Sequence, residues 1–221
     1  MSRPSLSMLC ALLLASSTSL AHADIKGSYE LSKGASLTLA FRDPQHMQAA
    51  SGADKAILVQ GDNTWALKRQ GDGWLAVDVK SAGGLLAALK KSHEKEVPSG
   101  PLQLRALNRK ETVAGYQGDV FELSDGQHQT EIVLTDNADV LALTNAWRSM
   151  AGRVAENLEQ RDVERLQQAL AVIPQTGKGG LLRQGDSLKL TAISKQINAS
   201  DLELPAGTQT LKLPASIPGL Q

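Results

Sequence analysis

Residues 116–136 read YQGDVFELSDGQHQTEIVLTD, and the reading of the fold turns on them. Val120, Phe121 and Leu123 form one apolar run and Ile132, Val133 and Leu134 a second, with Asp125-Gly126 between them. Two strand-like runs about an Asp-Gly pair predict an antiparallel hairpin closed by a tight type I′ turn, whose central residues need positive φ. The period then changes. Val140, Leu143, Trp147, Met150, Ala151, Val154 and Leu158 recur every three or four residues, which predicts an amphipathic helix with Asp136 or Asp139 near its start. Val163, Leu166 and Leu170 continue the stripe after a bend near Gln160, and Pro174 ends it.

Working upstream, the chain reads as short strands punctuated by turns. Leu37, Leu39 and Phe41 alternate over 36–41, and Asp43-Pro44 ends that strand. Ala56-Ile57-Leu58-Val59, then Trp65 and Leu67, then Leu75, Val77 and Val79 make three more strands. Gly61-Asp62-Asn63 and Gly71-Asp72-Gly73 join them into an antiparallel meander. Ser81, Leu85, Leu86 and Leu89 read as a weak helix, 92–100 as a loop, and 102–107 as a strand. Downstream of Pro174, a Gly177-Lys178-Gly179-Gly180 loop leads to strands at 181–184, 187–197 and 201–204, then a Pro-containing tail. Strands and helices do not alternate as β-α-β units. The expected class is therefore α+β, with helices laid on one antiparallel sheet.

The N-terminus gives an address. Arg3, the apolar run from Met8 to Leu14, and Ala21-His22-Ala23 form the layout of a secretory signal peptide over 1–23. That run is far shorter than the roughly 20 apolar residues a membrane span needs. Cleavage is expected between Ala23 and Asp24, leaving one domain over 24–221 in the periplasm. Cys10 lies in the discarded segment, so the mature chain carries no thiol for a disulfide, a nucleophile or a metal. Its 22 basic residues stand against 23 acidic ones, and no basic cluster points to nucleic acid. No later apolar run is long enough for a transmembrane segment.

Reactive patterns are missing as well. His46, His93 and His128 show no His-x-x-x-His or His-Glu-x-x-His spacing and read as loop residues. No serine lies in Gly-x-Ser-x-Gly. Gly177-Lys178-Gly179-Gly180 lacks both the leading glycine and the trailing Ser/Thr of a phosphate loop. Glu156, Glu159 and Glu164, interleaved with Arg153, Arg161 and Arg165, read as the solvated face of the long helix. Nothing pairs a nucleophile with a base, so the expectation is a protein that is not an enzyme and takes no cofactor or metal.

Val113-Ala114-Gly115-Tyr116, Phe121 to Gly126 and Thr130 to Asp136, with Gly180-Leu181-Leu182-Arg183 and Leu202-Glu203-Leu204-Pro205-Ala206-Gly207, resemble the signatures of a bacterial secreted family of unknown function. The resemblance covers roughly residues 101–213. That family is in turn similar to the LolA/LolB-like carriers of periplasmic lipoproteins. The resemblance implies a strongly curved antiparallel sheet, an incomplete barrel, with helices packed on its concave face. It also implies a non-catalytic periplasmic carrier for an apolar group, a lipid or lipoprotein acyl chain. The residues expected nearest such a ligand are Trp65, Leu67, Trp74, Trp147, Met150 and Val154. The competing expectation is an envelope protein–protein adaptor that uses a sheet edge or the helix face and holds no small ligand.

Overall fold

The computed structural model describes residues 24–80, 101–155 and 176–211, with the side chains of 154 and 155 excepted. The weak helix expected after Ser81, the extension of the long helix beyond 155 and the C-terminal tail lie outside the described residues.

The described chain is nearly all sheet. Its strands are β1 (Ile25–Leu31), β2 (Ser36–Asp43), β3 (His46–Ser51), β4 (Lys55–Gln60), β5 (Asn63–Gln70), β6 (Gly73–Asp78), β7 (Gln103–Val113), β8 (Tyr116–Ser124), β9 (Gln129–Thr135), β10 (Gly180–Gln184), β11 (Leu188–Ser194) and β12 (Gln209–Leu211). They form one 12-stranded sheet in the order β12-β6-β5-β4-β3-β2-β1-β11-β10-β9-β8-β7. Every neighbouring pair is antiparallel except β12 with β6, which is parallel. The sheet is therefore mixed, and among the described residues it does not close but ends at β12 and β7. One long α-helix, α1 (Ala138–Ala155), accompanies it among the described residues, and Val79 and Lys80 are also helical.

This corrects the α+β expectation of helices covering the concave face of a LolA-like incomplete barrel. The sequence reading omitted β1, β3 and β12 and halved β7, so it underweighted the sheet. Those omissions have physical causes. Gly27 interrupts the apolar alternation of β1, and β7 carries charged side chains along an exposed edge. His46, read as a loop residue, opens β3 because Pro44-Gln45 alone turns the chain between the paired Asp43 and His46. The stretch 201–204, read as a strand, begins inside a 3-10 turn at Ala199–Leu202.

Turn chemistry sets the registers. The pairs Gln60↔Asn63 and Gln70↔Gly73 each leave a two-residue turn, with Gly61 and Gly71 at positive φ. The Asp125-Gly126 connection differs from the expected tight turn. Ser124 pairs with Gln129, leaving a four-residue loop in which the Asp125 carboxylate accepts from the backbone N–H of Gln127 and His128. The two-residue turn with positive φ at both centres is instead Ala114-Gly115, between the paired Val113 and Tyr116.

The main core lies between α1 and one face of the sheet. Val140, Leu143, Ala146 and Met150 pack there on Ile25, Tyr29, Leu39, Met47, Val59, Val120, Val133, Leu182 and Leu190. A Cβ on Gly27 would stand 2.8 Å from Leu143 Cδ1, so the absent side chain lets the helix approach β1. Thr144 fastens the helix to β10: its hydroxyl accepts the Leu181 N–H at 2.8 Å and donates to the Val140 carbonyl. That N–H sits at an irregularity of the β9–β10 register, and burying it without a partner would be costly. The cap is Asn137, whose side-chain oxygen accepts from the N–H groups of Asp139 and Val140, in place of the expected aspartates.

The opposite face carries two smaller apolar clusters. One joins Ala56, Leu58, Trp65, Leu67 and Ala76 with Trp74 and Leu204, the other Phe121, Ile132 and Leu134 with Leu104, Leu123 and Leu181. The β7 end of the sheet is rolled. In a flat sheet, β7 and β11 would lie about 19 Å apart at ~4.8 Å per strand, yet they meet. Across this roll the Arg183 guanidinium reaches Glu111 of β7 in a two-pronged pair at 2.8 and 2.7 Å, with Glu131 at 3.3 Å.

Candidate functional site: an apolar row running out from under the helix

Strand register places one apolar row across the helix side of the sheet. Gly27 pairs with Leu39, Leu39 with Ala49, Ala49 with Ile57, Ile57 with Ala66, Ala66 with Val77 and Val77 with Leu211. Paired residues of neighbouring strands share a face, so the row is continuous and without a polar member over about 29 Å. Its burial changes along its length. Gly27, Leu39 and Ala49 are buried under α1, Ile57 and Val77 are half-buried, Ala66 is exposed, and Leu211 is 45% exposed. No other large apolar side chain among the described residues is so open. Val77 and Leu211 belong to none of the apolar clusters. The helix thus covers one end of the row and leaves the other uncovered among the described residues.

The expected ligand-lining residues are divided between the two faces. Met150 is buried in the main core, and Trp147 packs at its edge on Tyr29, ring centres 5.9 Å apart and planes at 68°. Trp65, Leu67 and Trp74 lie together in the cluster on the opposite face. Trp65 pairs with Asp78 and Trp74 with Arg69, so the two indoles are not direct cross-strand partners. The Val154 side chain lies outside the described residues. Sequence reasoning missed Ala66, Val77 and Leu211 as a surface, although the turns at Gly61 and Gly71 already fix the register that aligns Ile57, Ala66 and Val77.

The covered end of the row holds polar groups of unusual standing. Tyr29 is 3% exposed, and burial pushes its hydroxyl up to about 12, the indole of Trp147 opposing this more weakly. Even so, the Trp147 Nε1–H makes no hydrogen bond of ordinary geometry among the described residues. On the next residue, Arg148 Nη1 donates to Asn145 Oδ1 at 2.7 Å, while Nε and Nη2 are shielded from solvent without an acceptor among the described residues.

Elsewhere, polar groups are mutually satisfied. His46 Nδ1 lies 2.9 Å from Asp43 Oδ2. Burial, the largest influence on the Asp43 carboxyl, raises it, but bonds from His46 and from the Gln45 N–H together hold it below the usual range. His128 stands 3.4 Å from Asp125 on an exposed loop. Lys178, in the glycine-rich loop, pairs with Asp119 at 2.7 Å and carries no phosphate-loop geometry. A polar cleft of about 420 Å³ opens between Glu30, Lys33, Arg183, Asp186 and Lys189, but Arg183 is committed there to Glu111 and Glu131. No group of three or more His, Cys, Asp or Glu able to hold a metal occurs among the described residues. No described helix is long and apolar enough to cross a membrane.

No family model and no curated protein matches this sequence. Among solved structures, the chain is similar to PNGF-II, at 8% identity and a TM-score of 0.36, over 86% of this chain and 31% of that one. The chain thus spans about a third of the length of that structure, and a likeness at this level carries no argument about fold or function.

Proposed function

We propose that this protein is an exported, non-catalytic binding module that holds an apolar group, a lipid or acyl chain, against the uncovered part of the helix-side row. The observation that carries this reading is the fading burial from Leu39 to Leu211 along a row with no polar member. Apolar surface left to water costs about 25 cal/mol per Å², and a chain laid on it gains roughly 0.8 kcal/mol per buried methylene. The signal-like N-terminus and the cysteine-free mature chain support a periplasmic setting.

The adaptor reading draws less support. A docking edge needs a long run of free backbone groups, and only three residues of β12 lie among the described residues. The other edge, β7, carries Arg105, Arg109 and Lys110 and a register shift around Asn108, which has φ 53°. Charges and irregularities of this kind discourage strand addition.

Titration with a fluorescent polyene fatty acid tests the proposal. Ala66→Lys and Leu211→Lys change exposed positions, so both variants should fold with melting temperatures close to that of the parent. Each should weaken binding about tenfold, the loss expected from placing a charge against an acyl chain. Trp74→Ala, on the opposite face, should leave the affinity unchanged. Equal binding by parent, Ala66→Lys and Leu211→Lys would overturn the assignment of the row.

A further inference from the structure

We infer that Lys55 and Lys68 form the head-group end of this site and take the carboxylate of a fatty acid whose chain lies along the uncovered row. The inference rests on the apolar-row reading and adds the charge of the ligand. It starts from a pairing that sheets disfavour. Lys55 of β4 stands directly opposite Lys68 of β5, and both are exposed. Like charges in directly opposed positions destabilise a strand pair, because the Cβ atoms stand only about 5 Å apart. Neither lysine makes an ion pair among the described residues, whereas Lys26, Lys178 and Lys195 each meet an aspartate. Their outer cross-strand partners, Ser51 and Leu75, carry no charge. Asp54, in the turn before Lys55, pairs with neither. Two adjacent cations thus share one spot with no counter-charge among the described residues, and the pair calls for an anion.

Register places this pair beside the uncovered part of the row, on the same face. Lys55 precedes Ile57 by two residues and Lys68 follows Ala66 by two, and side chains two apart on a strand point to one side. The lysines therefore rise about 7 Å from the Ile57–Ala66 step of the row. Toward the sheet edge the surface beside them is apolar on β6, with Leu75 opposite Lys68 and Val77 opposite Ala66, and it continues to Leu211 on β12. Leu75, like Val77, belongs to none of the apolar clusters. Ile57, Ala66, Leu75, Val77 and Leu211 are all half-buried or exposed, so a chain can run from the lysines to the edge over open surface. Paired ammoniums followed by open apolar surface match a single hydrocarbon chain that ends in an oxyanion. Each ammonium can donate to one carboxylate oxygen, and the lysine stems add methylenes to the apolar contact. An ester of the same acid brings no charge to the pair.

The test compares a polyene fatty acid with its methyl ester on the full mature chain in low salt. The parent should bind the acid about fivefold more tightly than the ester, the scale of two exposed ion pairs. That preference should shrink as added salt screens the charges. Lys55→Gln combined with Lys68→Gln should bring the two affinities together by weakening the acid and sparing the ester. Lys33→Gln combined with Lys189→Gln removes the same charge at the polar cleft and should leave the preference intact. Unliganded Lys68→Gln should melt at or above the parent temperature, since it relieves the like-charge pair; a residue serving only the fold would shift it downward. Inorganic phosphate, at an ionic strength matched with chloride, should not displace the acid. Displacement by phosphate would make the lysines a free-anion site and overturn the head-group assignment. Equal binding of acid and ester, or a preference that survives the Lys55 and Lys68 substitutions, would also overturn it and leave the apolar row standing. Pelleting of the parent with anionic vesicles, lost in that double variant while acid and ester bind alike, would give the lysines to a membrane surface instead. Failure of both probes to bind the parent would overturn the row, and the head-group site with it.

Discussion

Ala114 occupies a position that alanine rarely takes. With φ 51° at the first centre of the β7–β8 turn and Gly115 at 83°, the pair forms the type I′ geometry whose preferred sequence is Asn-Gly. A Cβ in the left-handed region costs about 1–2 kcal/mol, and asparagine tolerates that region better. Ala114→Asn should therefore stabilise the protein by about 0.5–1 kcal/mol, raising its melting temperature by about 2 °C in a scanning-calorimetry comparison. A lower melting temperature would show that the turn is not of this type. At this scale the sequence was legible where side chain and backbone demand coincide, as at Gly61 and Gly71. At Ala114 the residue type carries no turn signal, and the sequence misled at Asp125-Gly126, where the aspartate bonds its own loop and widens it.

Among the elements, α1 was the most legible. The three-and-four spacing of Val140, Leu143, Trp147 and Met150 gave the buried stripe, and Leu143 meets the gap left by Gly27. The capping residue was not, since Asn137 and two aspartates compete for that role in sequence and only backbone geometry chooses among them. The contact between Tyr29 and Trp147 has a consequence in alkali. Burial pushes the folded hydroxyl up to about 12, against about 10 in the unfolded chain, so the fold favours the neutral phenol. Its contribution is complete below pH about 10 and is lost as pH rises from there toward about 12, a fall on the order of 2–3 kcal/mol. Denaturant midpoints measured across that window for the parent and Tyr29→Phe isolate the effect from lysine titration. The parent should lose more stability than the variant, and parallel curves would mean that the hydroxyl is not buried as described.

For the molecule as a whole, local patterning revealed the meander of β4 to β6 and the hairpin of β8 and β9, which are fixed by short turns. One antiparallel sheet was expected, but neither its strand order nor its parallel β12–β6 pair was legible. That outcome depends on β1 pairing with β11 and on β12 adding in parallel to β6, contacts between segments more than 130 residues apart that no local period encodes. The candidate site shares this dependence. Leu211 completes the row only because β12 returns to β6, and Trp65 and Trp74 leave it because register turns them to the other face.

Native mass spectrometry of the protein isolated from cells of its own source, beside Ala66→Lys prepared in the same way, tests the central claim most directly. The expected parent spectrum holds a polypeptide mass beginning at Asp24 and a second peak displaced by one fatty-acid mass, the latter reduced or absent in Ala66→Lys. A single unliganded peak in the parent, or an adduct equally abundant in both proteins, would contradict the account.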